Sequence, residues 1–160
     1  MTKKIIAAIV LLFIIAIGIY FFFIKKSEKS LLVDVSEVAK TVQIKHFDDA
    51  FFTTDTQNFE ADLAKLRVDF APFFSSNSDA QFWLNQRKEK NQKNLYADWK
   101  KQMPSPEPLD KELHDAFKHL YFYYPELPEF TVFTYISNLD FDYPVLVADN
   151  FEFLATDMYL

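Results

Sequence analysis

The chain has no cysteine and a single glycine, and both absences exclude whole classes of protein. Without cysteine there can be no disulfide framework, no thiolate metal site and no lipid-modified N-terminal cysteine. The one glycine, Gly18, lies within the first 26 residues. Walker loops, dinucleotide fingerprints and nucleophile elbows all require glycines, so none of them is present. Turns must therefore be formed by proline, asparagine, aspartate and serine.

Positive charge is also scarce beyond the N-terminus. The chain has 17 basic and 23 acidic residues, and residues 1–26 hold four of the lysines and no acid. Residues 27–160 thus carry 13 basic and 23 acidic residues, a net charge of −10. A nucleic-acid surface needs clustered lysine and arginine, and binding to anionic lipid needs a basic patch. We therefore expect neither nucleic acid nor an anionic lipid surface as a partner of this part.

The N-terminal segment predicts a membrane anchor. Residues 5–24 contain no charge, and twenty helical residues span roughly the 30 Å hydrocarbon core of a bilayer. A cleaved signal peptide has a shorter apolar region followed by small residues, whereas residues 20–23 are Tyr-Phe-Phe-Phe. Lysines flank both ends, so the positive-inside rule gives no clear orientation. The short N-terminal stub most simply stays in the cytoplasm. We predict a single-pass anchor over residues 1–26, a polar linker over 27–40 and a periplasmic domain over 41–160.

The first part of that domain is predicted to be mostly helical. Residues 41–47 alternate with period two, which indicates a short strand with Val42 and Ile44 facing inward. A helical turn over residues 48–52 follows, and then a longer helix that Asn58 can cap and Pro72 ends. Its apolar stripe has helical spacing. The stripe consists of Phe59, Leu63, Leu66, Phe70 and Phe73.

Two further helical regions follow along the chain. Ser78 and Gln81 have the spacing of a capping box and open a helical region over residues 78–103. The polar residues 86–94 are expected to interrupt it. After a proline-rich connector, a helix over residues 109–124 is stopped by Pro125 and Pro128. Its predicted buried face consists of Leu113, Phe117, Leu120, Tyr121 and Tyr124.

The last part changes to strand periodicity. Residues 130–137, 144–148 and 151–156 read as three strands, the last two joined by a tight turn at Asp149 and Asn150. We predict that these three strands form an antiparallel meander. The order of one strand, several helices and then a meander defines an α+β fold for residues 41–160.

The histidines do not predict a metal site or a catalytic base. His114 and His119 are five residues apart, about 140° around a helix, so they cannot share one metal ion from one face. Zinc-protease helices place two histidines four residues apart in His-Glu-x-x-His, and this motif is absent. His46 stands alone on its strand. We predict no catalytic residue, no cofactor site and no zinc site within residues 1–160, which favours a non-enzymatic role without deciding it.

One acidic segment has the spacing of a calcium loop. Asn138, Asp140 and Asp142 occupy positions one, three and five, and Asp149 occupies position twelve. Position six is Tyr143 instead of glycine, and the segment lies between predicted strands instead of helices. A solvated acidic loop is therefore favoured over a calcium site.

An aromatic block at residues 121–124 has two interpretations. Helical phase places Tyr121 and Tyr124 on the buried stripe, while Phe122 and Tyr123 must pack on the sheet or stay exposed. Burial within the domain is favoured because large aromatic residues usually lie in the core. The alternative is a protein-binding patch.

Four segments read together resemble the gliding-motility protein B (GldB-like) family of Bacteroidetes. They are VQIKHFDDAFF, NFEADLAKLRVDFAPFF, AFKHLYFYYPELPEFTVFTYIS and VLVADNFEFLATDMYL, in the family's order and spacing. The most specific pieces are the proline-tyrosine-serine block and the final Asp-Met-Tyr-Leu block. The residues that match the family motifs are Tyr124, Pro125, Pro128, Tyr135, Ser137, Asp157, Met158, Tyr159 and Leu160.

The resemblance implies a membrane-anchored, non-catalytic component of the cell-envelope machinery of gliding bacteria, with other envelope proteins as partners. It also implies that residues 1–160 are the N-terminal half of a longer domain that is distantly zincin-like, with any metal helix after residue 160. Two alternatives stay open. One is an envelope zinc metallopeptidase or its degenerate relative, and the other is an anchored protein-binding module.

Two departures from the family bear on these expectations. Family members usually carry a lipid-modified cysteine near the N-terminus, and this chain has none, so its anchor must be the helix itself. Glycines expected near the two motif blocks are replaced by Asn138 and Ala155. The replacements put the turn geometry around these blocks in question.

Overall fold

The computed structural model describes residues 33–74 and 79–160, in two units, Met1–Val38 and Ala39–Leu160. In the first unit, the described residues form one turn in which the Ser36 N–H donates to Asp34. The predicted anchor, most of the predicted linker and Ser78 lie outside the described residues. Within the described residues, no helix has both the length and the apolar character needed to cross a bilayer.

The second unit is an α+β domain, which confirms the predicted class. Its described residues form five α-helices, four strands and two short 3₁₀ helices, Ala71–Phe73 and Thr156–Tyr159. The α-helices are α1 (Phe47–Phe52), α2 (Phe59–Asp69), α3 (Ala80–Lys88), α4 (Lys90–Gln102) and α5 (Glu107–Tyr123). The strands are β1 (Gln43–His46), β2 (Thr131–Tyr135), β3 (Val145–Ala148) and β4 (Phe151–Ala155).

The predicted three-stranded meander is wrong. The described residues form a four-stranded mixed sheet in the order β1-β2-β4-β3, with β2 parallel to both β1 and β4. The β3–β4 hairpin is antiparallel as predicted, and Asp149 adopts a φ of 54° in its turn. The chain leaves β2 and crosses to the edge of the sheet, where it forms β3. The hairpin then turns back, so β4 lies between β2 and β3. Period-two alternation shows which side chains share a face, but it does not show which strands are neighbours.

The main core lies between one face of the sheet and helices α1 to α4. Phe133 of β2 packs against Phe70, Phe73 and Phe153, with ring centroids 5.5–6.1 Å apart. The apolar stripe of α2 is buried, except that Phe73 is half-buried in the 3₁₀ helix that follows. The α-helix ends at Asp69 because Pro72 cannot continue it. This part of the helical prediction is confirmed.

Several predicted helix boundaries differ from the structure. The Asn58 side chain makes no capping hydrogen bond, and α3 is capped by Asp79, which accepts from the Phe82 N–H at 2.7 Å. The predicted interruption between residues 86 and 94 occurs at Glu89, which caps α4 by accepting from the Gln92 N–H. Helix α5 begins two residues before Leu109 because its first turn accommodates Pro108, whose missing N–H would have no partner there.

The opposite face of the sheet faces α5. Val132 and Thr134 alternate with Phe133 on β2 and are both fully buried. The Tyr121 hydroxyl of α5 accepts from the Phe130 N–H at 2.8 Å, which fixes the helix beside the start of β2. Tyr121 is buried as predicted, but Tyr124 is exposed. Tyr124 is the residue after the last helical one, with a φ of −132°, so the helical phase no longer applies to it.

Candidate functional site

Two groups of buried polar side chains are the chemically distinctive parts of the domain. Asp48, Thr134, Thr156 and Asp157 are each at most 2 % exposed. A buried polar group is costly unless it is hydrogen-bonded, so the partners of these four residues show what each one does. They divide into one network around Asp48 and one loop held by Asp157.

The Asp48 network joins five side chains from α1, the sheet, the 3₁₀ helix Thr156–Tyr159 and α5. Thr134 donates its hydroxyl hydrogen to Asp48 Oδ1 at 2.6 Å, and Thr156 donates to Asp48 Oδ2 at 3.2 Å. His46 Nδ1 lies 3.0 Å from Thr134 Oγ1, and His46 Nε2 lies 2.9 Å from Asp110 Oδ1. Thr134 is the common partner because it lies directly opposite His46 in the β1–β2 register.

The network can hold its protons in two arrangements. With Asp48 ionised, Thr134 donates to Asp48, and both ring nitrogens of His46 must donate, one to Thr134 and one to Asp110. With Asp48 protonated, the bonds reverse from Asp48 through Thr134 to His46 Nδ1, and the ring is neutral. Burial raises the pKa of Asp48, while hydrogen bonds from Thr134 and the Asp49 N–H oppose the rise. One proton is therefore shared along the path from Asp48 of α1 through Thr134 of β2 to His46 of β1.

The order acid, histidine, hydroxyl resembles a nucleophilic triad, but the geometry does not support attack on a substrate. The Thr134 hydroxyl is fully buried and is committed to Asp48. A nucleophile must reach the substrate atom, and its base must accept its hydrogen. Thr134 fails the first requirement in either proton arrangement because its hydroxyl is fully buried. The network instead ties together β1, β2, α1, α5 and the 3₁₀ helix Thr156–Tyr159. His46 is the only histidine on its strand, and its two hydrogen-bond partners are 64 and 88 residues away in sequence.

Asp157 holds the loop that follows β2. Its Oδ1 accepts from the Ser137 N–H at 2.8 Å, and its Oδ2 accepts from the Leu139 N–H at 2.7 Å. Ser137 Oγ also donates to this carboxylate, at 3.1 Å. Asn138 and Leu139 have φ angles of 66° and 60°, a conformation that costs about 1–2 kcal/mol per residue without glycine. The carboxylate accounts for this loop shape in a chain that lacks glycine here.

The structure thus brings together two of the sequence-predicted motif residues, Ser137 and Asp157. Asp157 lies inside the 3₁₀ helix Thr156–Tyr159, and its side chain reaches back to the loop after β2. Replacement of the family's glycine by Asn138 is compatible with this geometry, since asparagine tolerates a positive φ.

The other motif residues do not join this pair in one site. Tyr124, Pro125 and Pro128 are exposed, and Lys40 donates its ammonium hydrogens to the carbonyl oxygens of Pro125 and Leu127. The remaining members lie around the sheet end. Tyr135 packs on Phe73, Met158 is half-buried, and Tyr159 and Leu160 are exposed.

The candidate calcium residues are not gathered. Asn138 accepts from the Asn91 side chain, and Asp140 Oδ1 accepts from the Asp142 N–H at 3.2 Å. Asp149 lies beyond β3, a strand of four residues that spans about 13 Å. Among residues 33–74 and 79–160, no group of three or more histidine or acidic side chains has the arrangement of a metal site.

A cavity of about 200 Å³ opens beside the Asp48 network. Its walls are mainly aromatic, with Phe47, Phe51 and Trp83 among them, and Asp48 contributes to one wall. Ligand pockets usually measure about 300–1,000 Å³, so this space is small for a metabolite. The tight ring packing around it, with Phe47 and Phe73 centroids 4.0 Å apart, suits a core instead.

The fold and these two groups define an α+β domain whose buried polar residues fasten strands and a surface loop. The chain belongs to the family of gliding motility protein GldB, whose family model matches residues 28–160. This match confirms the resemblance stated from the sequence motifs. No curated protein and no solved structure matches the chain.

Proposed function

We propose that this protein is a membrane-anchored, non-catalytic component of the cell-envelope machinery for gliding, with its domain in the periplasm and other envelope proteins as partners. Membership of the GldB family supports a role in gliding. The uncharged residues 5–24 support the anchor. The acidic residues 27–160 support protein partners over nucleic acid or anionic lipid.

The observation that carries the non-catalytic proposal is the use of the two buried carboxylates. Asp48 accepts hydrogen bonds from two threonine hydroxyls, and Asp157 accepts two backbone N–H bonds and one serine hydroxyl bond. Residues that do chemistry on a substrate need free donor or acceptor capacity at an accessible surface. Here that capacity fastens the sheet and fixes the loop after β2, which is what a rigid docking scaffold requires.

Deleting the gene and restoring it with variants tests the gliding role. Cells without the gene should fail to spread on agar, and the wild-type gene should restore spreading. His46→Gln should also restore it, because a scaffold needs only a folded domain. Protein abundance measured by immunoblot separates loss of function from loss of protein. Normal spreading of the deletion strain would reject the proposal.

Fractionation tests the anchor separately. The chain should stay with membranes after washing at high pH, and a variant lacking residues 5–24 should be released. A protease added to cells with a permeable outer membrane should digest the domain if it is periplasmic. Release of the intact chain by the wash, or protection of the domain, would contradict the proposed location.

A further inference from the structure

Strand β3 is an edge of the sheet that no part of the described chain covers on either face. Val145, Leu146 and Val147 are 41, 45 and 56 % exposed, although they alternate between the two faces. The preceding loop adds Phe141, which is 74 % exposed, and Tyr143. Monomeric proteins seldom leave such a continuous apolar stretch open, and natural edge strands usually carry charges or a bulge.

The backbone of β3 is also open along its outer side. The Ala155 N–H donates to the Pro144 carbonyl at 3.0 Å, so residues 144 and 155 form a hydrogen-bonded pair. Antiparallel pairs alternate, and the register opposes Leu146 to Phe153 and Val147 to Glu152. Leu146 therefore bonds inward to β4, and the N–H and C=O groups of Val145 and Val147 point away from the sheet. They form a template for another strand.

The chain segment that includes this edge carries charge of one sign. From Leu120 to Leu160 the sequence has seven acidic residues and no lysine, arginine or histidine. Asp140, Asp142 and Asp149 are exposed at the two ends of β3. Glu152 is half-buried directly opposite Val147, and burial alone raises the pKa of its carboxyl. A positive charge placed over β3 would lower the free energy of all four carboxylates.

We propose that β3 binds, by strand addition, an extended segment of a partner protein in which basic side chains alternate with apolar ones. The outward backbone groups of Val145 and Val147 would form the ladder, and the exposed apolar side chains would contact the partner's apolar ones. The flanking aspartates would pair with its lysines or arginines. This inference goes beyond the gliding role. It depends on the exposed edge of β3 and is tested independently of that role.

The same charges argue against a second copy of this chain as the occupant. Two β3 strands paired side by side would bring Asp142 and Asp149 of both copies to the same interface. Like charges facing each other across an interface are unfavourable, and residues 120–160, which include both aspartates, contain no basic residue to relieve them. A basic segment from a different protein meets no such repulsion.

The loop before β3 is held in a shape that keeps the edge accessible. Asp157 fixes Ser137 and Leu139, and Asp140 donates its N–H to Ser137 Oγ at 3.0 Å. The aromatic side chains of Phe141 and Tyr143 are thereby presented beside the start of β3. A surface that is already ordered loses less conformational entropy on binding.

Peptide binding to the full 160-residue chain tests the proposal. The probe is a peptide of about nine residues with alternating lysine and valine and blocked ends, a length that matches a long strand. Two controls share its length. One replaces lysine by glutamate, and the other keeps lysine but carries N-methyl groups on alternate backbone amides, which removes one hydrogen-bonding edge. Affinity is measured by isothermal titration, and protection of individual amides by hydrogen exchange.

The lysine peptide should bind at least tenfold more tightly than either control. The glutamate peptide loses the charge pairing with the aspartates, and the N-methylated peptide loses the backbone hydrogen bonds to β3. The amides of Val145 and Val147 should become protected on binding. Equal affinity for the N-methylated peptide would mean that charge alone acts, and would overturn strand addition. Protection of these amides without peptide, or a dimer in sedimentation, would mean that another occupant already covers the edge and would also overturn the proposal.

Two variants locate the binding to β3. Val147→Pro removes an outward N–H and leaves the bonds between β3 and β4 intact, so it should abolish peptide binding while the thermal transition changes little. The triple variant Asp140→Asn, Asp142→Asn and Asp149→Asn should weaken binding at least tenfold at low salt. The matched control changes Glu37, Glu60 and Glu112 to glutamine, exposed acids elsewhere on the chain. Equal loss in both triple variants would show a net-charge effect and would reject a site at β3.

Discussion

Two strands of one sheet, β2 and β3, have similar apolar sequences and opposite surroundings. TVFTY of β2 is enclosed by helices on both faces, and its three middle residues are almost fully buried. VLVA of β3 is exposed at every residue. The difference comes from position, since β2 lies between β1 and β4 while β3 lies at the edge. An apolar strand is stabilised when other elements bury its side chains. Its position in the sheet decides whether elements of this chain can do so.

The largest effect should follow from truncating the central strand. Phe133→Ala removes a ring that packs against Phe70, Phe73, Phe151 and Phe153. We expect the free energy of unfolding to fall by about 3–5 kcal/mol, as is typical of buried phenylalanines. Chemical denaturation followed by tryptophan fluorescence measures it. The matched change at the edge is Leu146→Ala, which should cost less than about 1 kcal/mol because the side chain is half exposed. Similar losses at both positions would contradict the comparison.

The next largest effect should come from Asp157. Asp157→Ala leaves the Ser137 and Leu139 N–H groups without their acceptor, and the two positive-φ residues between β2 and β3 lose their support. We expect a loss of about 2–3 kcal/mol, because hydrogen bonds to a charged group are the stronger kind. Asp142→Ala, in the same loop but exposed, is the control and should change stability by less than about 0.5 kcal/mol. Thermal unfolding of wild type, Asp157→Ala and Asp142→Ala measures these differences. Equal stability of the two variants would contradict a structural role for Asp157.

Local sequence patterns predicted the elements better than their arrangement. The stripe on α2, the break at Glu89 and the β3–β4 turn depend on neighbours in sequence, and each is present. Whether β2 would pair with β3 or β4 depends on a long connection, and no residue pattern specifies it. The Asp48 network was missed for the same reason, since it exists only once β1 and β2 pair in one register. The motif residues Ser137 and Asp157 were identified by resemblance, and the structure supplied their contact.

A smaller effect, on the pH dependence of stability, should come from Asp48. Burial raises its pKa above the ordinary 3.8, so the folded protein binds this proton more tightly than the unfolded chain. Stability from this group is then highest at low pH and falls as the pH rises from 3.8 through the folded-state pKa. Asp48→Asn removes that fall and can still bond to Thr134 and Thr156. The facing groups His46, Asp49 and Asp110 remain in both proteins.

Urea unfolding of wild type and Asp48→Asn between pH 3 and pH 8 measures this difference. Relative to wild type, Asp48→Asn should become more stable as the pH rises through the window above 3.8. If the ionised carboxylate were instead stabilised through His46, its folded-state pKa would be lowered and the difference would change in the opposite direction. Parallel curves would show that burial does not perturb Asp48.

The smallest effect on stability should come from a substitution on the exposed edge strand β3. The same substitution should have a large effect on aggregation and on peptide binding. Val147→Lys places a charge on an exposed side chain, and surface changes of this kind alter stability by less than about 0.5 kcal/mol. A lysine on an edge strand discourages addition of another strand, because pairing would bury part of its charge. We therefore expect unchanged thermal unfolding, slower aggregation on storage, and loss of binding to the lysine–valine peptide.

Val68→Lys, on an exposed position of α2, is the matched control and should leave aggregation and peptide binding as they are. Equal effects of both lysines would mean that solubility follows net charge, whereas an effect confined to Val147 would show that the open edge of β3 governs what this domain binds.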